Sequence, residues 1–322
     1  ATYIRNRIPT VTRESKTVSP FDLLHQHTPC VRHIKIWGCK CYPFVPKQKL
    51  VLQKYTEAYR DNLTEKQLYL LDNFPYRQII GCLLYISIWT RPDISFAIGK
   101  LCKFNKHPTL EAIYATQWLL QYIHGTKHLG LVFEKGNLIL TVYVDSSFGD
   151  CVEDRRSTAG MIQYLGYSPI QWDSFVANTT VPLSVAEAEY VGAHEAGKMT
   201  MSNRNLLNEL EFRQDNITLY EDNKACIAIA FQEASKRATK HIEIQLHYIR
   251  DLVKRQLIYM VHIPTNIQLA DIFTKPVDHL TFIRHRPTIL GNKPTGLLLD
   301  FLTSCDNFKE EYKNNIDEVD VP

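Results

Sequence analysis

No run of about 18 apolar residues occurs anywhere in the chain, which argues against a membrane-spanning helix. The N-terminus lacks the charged, then apolar, then small-residue pattern of a signal peptide. It also lacks an initiating Met, so the sequence reads as a piece of something longer. The eight cysteines include no CxxC pair. In a chain of this size they read as reduced thiols, not as a disulfide framework, which points to an intracellular setting, cytoplasm or nucleus. No internal repeat and no low-complexity segment is present.

What is there is ordinary in bulk. The 45% hydrophobic fraction and 22% charge suit a folded chain, and 322 residues allow two domains or one large one. The net charge of +3 hides a gradient. Residues 1–50 hold nine Lys/Arg against Glu14 and Asp22, which suits a polyanion partner or a solvated surface. Residues 300–322 hold seven acids against Lys309 and Lys313 and read as an acidic, disordered end. His25, His27, Cys30, His33, Cys39 and Cys41 can be drawn as a zinc site, but their spacing matches no standard finger. Independent packing and surface residues is the reading preferred.

Five prolines punctuate residues 1–50, and residues 51–75 are a polar junction. From Tyr76 the pattern turns helical: Ile79, Leu83, Leu84 and Ile86 fall near helical spacing, and Pro92 suits a first helical turn. Then the period changes. "LILTVYVD" and "AGMIQYLGYSPIQWD" read as strands, the latter broken at Gly166 and Pro169. "SVAEAEYVGAHEAGKMTMSNRNLLNEL" reads as a long helix capped by Ser184, with Glu187 three positions on. Strand "ITLYED", helices "NKACIAIAF" and "HIEIQLHYIRDLVKRQ", strand "LIYMVHIP" and last helix "NIQLADIFTK" follow. The order β-β-β-α-β-α-α-β-α predicts an α/β domain with a mixed sheet and flanking helices.

"LTVYVDSSFGD" poses the functional question. A strand ending Tyr-Val-Asp suits a polymerase palm, which needs a second Asp beside the first. It equally suits a nuclease whose other acids come later. Asp145 is followed by Ser146 and Ser147, so the second palm Asp is missing. Later acids do stand at element margins: Glu187 and Glu189 early in the long helix, Asp222 at a strand end, and Asp271 in the last helix. Converging carboxylates repel unless a cation neutralises them, and oxygen-only ligands point to Mg2+ or Mn2+.

"YVDSSFGDCVEDRRSTAGMIQYLGYSPIQW", "SVAEAEYVGAHEAGK", "LYEDNKACIAIA", "TKHIEIQLHYIRDLV" and "HIPTNIQLADIFTKP" resemble, in order, the ribonuclease H domain of copia-type LTR retrotransposon Pol polyproteins. "YRQIIGCLLYISIWTRPDISFAIGKL" and "WLLQYIHGTKHLGLVF" resemble the end of reverse transcriptase in those polyproteins, and "YIRNRIPT" and "HIKIWGCKCYPFVPK" the end of integrase. The resemblance implies an integrase-like remnant at 1–50, a junction at 51–75, a reverse-transcriptase-like helical segment at 76–135, a ribonuclease H-like domain at 138–290 with a five-stranded sheet, and a tail at 291–322. The polymerase palm and the integrase catalytic part are absent from this arrangement.

Residue by residue, the resemblance implies Asp145, Glu189, Asp222 and Asp271 as ligands of two Mg2+ or Mn2+ ions that hydrolyse the RNA strand of an RNA–DNA hybrid. Glu189 is preferred over Glu187 because it shares a helix face with Ala193 and Ala196, leaving Glu187 to the cap and helix dipole. Candidate hybrid contacts are Arg155, Arg156, Ser157, Asn223, Lys224, Lys240 and His241, each of which also reads as a surface or capping residue. Other nucleic acid and the remainder of a polyprotein are further partners to expect; a membrane is not. The rival reading is a catalytically inactive relic or a co-opted nucleic-acid-binding module. The stretch "DSFVANT", where relatives carry basic residues, favours that rival.

Overall fold

A computed structural model describes residues 57–136, 138–150, 156–176, 182, 184–231 and 243–305, together with the paired two-residue strands Thr10–Val11 and Thr17–Val18. The zinc candidates and nearly all of the integrase-like piece lie outside the described residues, as do Arg155, Lys240 and His241. The chain divides into two compact units, Ala1–Leu83 with Leu101–His128, and Leu84–Lys100 with Leu129–Pro322. No helix among the described residues is long and apolar enough to cross a membrane.

The first unit is helical. It contains α1 (Glu65–Asn73) and the start of α2 (Tyr76–Trp89). After α3 (Ser95–Cys102), whose last residues also belong to it, comes α4 (Leu110–Gly125). Ile79, Ile80, Leu83, Ile113 and Tyr122 are buried. Of the apolar spacing expected in α2, Leu84 faces out; Ile80, one turn before it, takes the buried place beside Ile79 and Leu83. Thr109 caps α4 by accepting from Ala112 N, and Tyr59 OH donates to Glu111 Oε2 at 2.9 Å.

The second unit is built on a five-stranded sheet. In chain order come β1 (Leu140–Ser147), β2 (Thr158–Leu165), β3 (Ser168–Val176), α5 (Val185–Glu209), β4 (Ile217–Glu221), α6 (Lys224–Phe231), α7 (Glu243–Lys254), β5 (Ile258–His262), α8 (Asp271–Thr274) and α9 (His279–Ile289). Across the sheet the order is β3-β2-β1-β4-β5. The β1/β2 and β2/β3 pairs are antiparallel, and β1/β4 and β4/β5 are parallel. This is the mixed α/β architecture that the element order predicts.

Strand alternation sorts the two faces. Leu140, Val142 and Val144 of β1, with Ile217 and Leu219 of β4, join Tyr190, Val191, Ala193 and Ala196 of α5 in one core. Each such fully buried aliphatic side chain contributes about 1.5–3 kcal/mol. The opposite face is aromatic. Tyr143 stacks on Tyr220 with ring centroids 4.7 Å apart and meets Tyr164 edge-on, and Tyr164 OH donates to Thr288 O of α9.

Three details differ from the sequence reading. Pro169 does not break the strand but lies within β3, beside a register shift at Gln163/Tyr164. That is tolerated because β3 is an edge strand, where a missing N–H leaves no ladder partner unpaired. "NIQLADIFTK" is not one helix but a 3-10 turn, Thr265–Ile267, and then α8. Gln268 between them is extended, and its side-chain amide donates to Val144 O at 2.9 Å and Tyr220 O at 3.5 Å. Finally, α9 follows where no element was read; Asp278 caps it by accepting from Leu280 N and Thr281 N. Residues 297–305 are also helical, with Leu298 buried and the Phe301 ring against Tyr220.

Candidate metal centre

The parallel register of β1 and β4 pairs Tyr143 with Tyr220. Two residues further along lie Asp145 and, just past the end of β4, Asp222, so both acids reach the same end of the sheet. There the chain order splits, β1 leading to β2 on one side while β4 lies on the other. Carboxyl ends of strands at such a switch point leave a crevice. Gln268 bridges the carbonyls of Val144 in β1 and Tyr220 in β4, three residues before Asp271.

Two close approaches shape the crevice. Gly160 pairs with Asp145 across β1 and β2. A Cβ there would lie 2.5 Å from Phe273 Cβ and 2.8 Å from Thr274 Cγ2, so only glycine lets α8 sit flat on the sheet. On the other face, a Cβ at Gly192 of α5 would lie 2.2 Å from Ser146 Oγ. That contact draws the first turns of α5, including Glu189, toward the end of β1.

The result is two carboxylate groups that share Asp222. Ligand oxygens of Asp145, Asp222 and Asp271 lie within 4.8 Å of one another, and so do those of Glu189, Glu221 and Asp222. By strand alternation Asp145 lies on the α8 face and Glu221 on the α5 face with Glu189, while Asp222, just past the end of β4, reaches both groups. All but Asp222 are buried. Asp145 accepts from the Thr274 hydroxyl and lies 3.7 Å from Lys275 Nζ, which is 2.8 Å from Asp271 Oδ1. Glu189 Oε2 and Glu221 Oε2 are buried with no hydrogen-bond partner among the described residues. Buried anionic oxygens without donors are costly, and an all-oxygen set of this kind fits a hard divalent cation such as Mg2+ or Mn2+.

Burial dominates the electrostatics. It pushes Asp271 up to about 7, with the charge of Asp145 adding and Lys275 opposing. Glu189 rises to about 11 through burial and then through Glu221, Asp145 and Asp222. Burial also drives Glu221 well above the carboxylate range and raises Asp145, against the pull of Lys275. Burial lowers Lys275, but Asp145 and Asp271 outweigh it and leave its pKa raised.

These shifts fix a sign. An acid whose folded pKa is raised stabilises the fold fully below its unfolded value and loses that contribution as pH rises through the folded value. For Asp271 the window runs from 3.8 to about 7, and Glu189 continues the loss toward higher pH. Thermal melts in EDTA should therefore show a fall with pH across this window that Asp271→Asn makes shallower. The scale is about 2–4 °C per kcal/mol for a domain of this size. Added Mg2+ should raise the melting temperature more at pH 8 than at pH 5. Identical pH slopes for the intact and Asp271→Asn chains would contradict the assigned cause.

Of the candidate hybrid contacts, Arg156 and Lys224 are exposed. Ser157 is buried, its hydroxyl accepting from Gly149 N at 3.1 Å. Asn223 caps α6, its Oδ1 accepting from Ala225 N and Cys226 N. Glu221, Gln268, Thr274 and Lys275 were not singled out by sequence. Lys275 stands four residues after Asp271, and Glu221 directly precedes Asp222 in "YED", so both had a local signal. Gly160 and Gln268 had none, because their partners are distant in sequence.

No family model matches the chain. A stretch of 208 residues, 65% of the chain, is 33% identical to the retrovirus-related Pol polyprotein from transposon TNT 1-94 of Nicotiana tabacum. Another of 242 residues, 74% of the chain, is 35% identical to the Pol polyprotein from transposon RE1 of Arabidopsis thaliana. The chain belongs to the copia-type retrotransposon Pol polyproteins. It spans 16% of the length of each of these two Pol relatives. Among solved structures, LC11-RNase H1, isolated from compost, matches 42% of this chain and 93% of its own length at 13% identity and a TM-score of 0.33. The fold class of this Pol segment is ribonuclease H-like, as its strand order and connections read.

Proposed function

We propose that this Pol segment is a ribonuclease H that hydrolyses the RNA strand of RNA–DNA hybrids. The observation that carries the reading is the pair of buried carboxylate groups meeting at Asp222, at the carboxyl ends of β1 and β4. Asp145, Glu189, Asp222 and Asp271 would be the ligands. Two divalent cations bound there would supply the positive charge that activates a water and stabilises the departing oxygen. The water oxygen bonds to phosphorus, the P–O3′ bond breaks, and a proton passes to the 3′ oxygen, leaving 5′-phosphate and 3′-hydroxyl ends.

The chain's own part is positioning and charge. The Thr274 hydroxyl orients Asp145, and Gln268 fixes the loop before Asp271. Arg156 and Lys224 lie on the surface, where a hybrid's backbone phosphates could approach them, and 2′-hydroxyls would distinguish RNA from DNA. This work would be done inside the cell, in cytoplasm or nucleus. The second reading, binding without turnover, draws support from Lys275, whose ammonium already partly neutralises Asp145 and Asp271. A labelled hybrid incubated with the chain, with Mg2+ and with EDTA, separates the two. RNA-strand cleavage only with Mg2+ is the expected result, and tight binding without cleavage would hand the case to the second reading.

A further inference from the structure

The two carboxylate groups are not neutralised alike. In the group on the α8 face, Lys275 Nζ ion-pairs with Asp271 at 2.8 Å and stands 3.7 Å from Asp145, while Thr274 donates to Asp145. In the group on the α5 face, Glu221 Oε1 accepts from Asn223 N at 3.0 Å. The Asp222 backbone also donates to Glu221, but among the described residues no ion pair reaches Glu189 or Glu221. Glu189 and Glu221 are 4% and 0% exposed, and one oxygen of each is buried without a partner among the described residues. The side-chain oxygen of nearby Asn223 is committed to capping α6. Cys226, buried beside these acids, has its thiol pushed far up, by burial first, and supplies no charge to balance them.

Carboxylates this close and this dry need a cation more than a group that already holds an ammonium. Lys275 is also able to leave. Its side chain is 37% exposed, and it sits on a flexible four-carbon stem that can carry the charge out to water.

We propose that Glu221 is a further cation ligand, completing with Glu189 and Asp222 a site that fills first, and that a cation enters the Asp145–Asp222–Asp271 position only by displacing Lys275. This deepens the proposed function and rests on its reading of these carboxylates as cation ligands. Lys275 then acts as a built-in competitor that keeps the second position weak until substrate phosphate adds its own negative charge.

Mn2+ titration of the full chain, followed by the electron paramagnetic resonance of free Mn2+, tests this without any cleavage assay. Two unequal sites are expected. Glu221→Gln should weaken the tight one about 10–100-fold and leave the weak one. Lys275→Met should leave the tight one and strengthen the weak one by on the order of 5–150-fold. Should Glu221→Gln fail to fold by circular dichroism, Glu221→Asp, which keeps the charge but shortens the reach, should weaken the tight site alone. Equal sites in the intact chain overturn the proposal, as does a tight site indifferent to Glu221 or a weak site indifferent to Lys275. Two unequal sites in a chain that never cleaves hybrid uphold the proposal and sink the nuclease reading; absence of Mn2+ binding sinks both.

Discussion

Asp145→Asn should lower Mg2+-dependent hybrid cleavage by at least about 100-fold while leaving hybrid binding equal or tighter. Asp145 is buried near the end of the central strand, with a carboxylate oxygen within 4.8 Å of those of Asp222 and Asp271, and the Thr274 hydroxyl donates to it. Groups aimed at transition-state charge in a dry site are worth about 10²–10³ each. Asparagine keeps the shape and can still accept from Thr274, but it removes a negative charge. The same loss reduces repulsion toward substrate phosphate, which is why binding should not fall. Cleavage rate and binding constant are best measured together across a salt series. Lys/Arg contacts release counterions, so binding should weaken with salt for both proteins in parallel. Cleavage that survives the substitution would remove Asp145 from the site and point to a contaminating nuclease.

Gly160→Ala should harm a residue that carries no chemistry at all. Its new Cβ would meet Phe273 Cβ at 2.5 Å and Thr274 Cγ2 at 2.8 Å. Phe273 is fully buried, and Cβ atoms cannot swing aside as a side-chain tip can, so α8 must lift from the sheet. Overpacking of this kind costs about 1–3 kcal/mol. Because α8 carries Asp271 and Thr274, the shift reaches the carboxylates directly. A displacement of about 1 Å can cost on the order of 100-fold in rate. Gly130→Ala is the matched control, since a Cβ there meets nothing within 4 Å and the change should be nearly silent. Thermal melting and hybrid cleavage of the three proteins decide it. A Gly160→Ala protein as stable and as active as the Gly130→Ala protein would mean that α8 does not need this contact.

The pH dependence reported above and these two substitutions probe one feature from different sides. The crevice gathers carboxylates that the fold by itself stabilises poorly. Asp271, held up to about 7 mainly by burial, shows the cost of the metal-free arrangement. Lys275 offsets part of it on one face of the sheet, and among the described residues no ion pair does so for Glu189 and Glu221 on the other.

The sequence by itself determined the elements and most of the acids. Periodicity fixed the order from β1 to β5, because period-two and helical patterns are local properties of neighbouring residues. The Ser184 cap was legible for the same reason, and Ser184 Oγ accepts from Glu187 N at 3.2 Å. Asp145, Glu189, Asp222 and Asp271 were legible as acids at element margins. Only the tertiary structure decided what surrounds them. The β1/β4 register sets Asp145 level with Asp222, and the β1/β2 register sets Gly160 beneath α8. Gln268 ends the expected last helix because its amide bonds to strands 124 and 48 residues away. Glu221 turned from a strand residue into a member of the acid cluster because alternation sends it to the α5 face, where Glu189 waits. Each of these depends on a pairing between segments distant in the chain, and no local pattern of residues encodes which segments will meet.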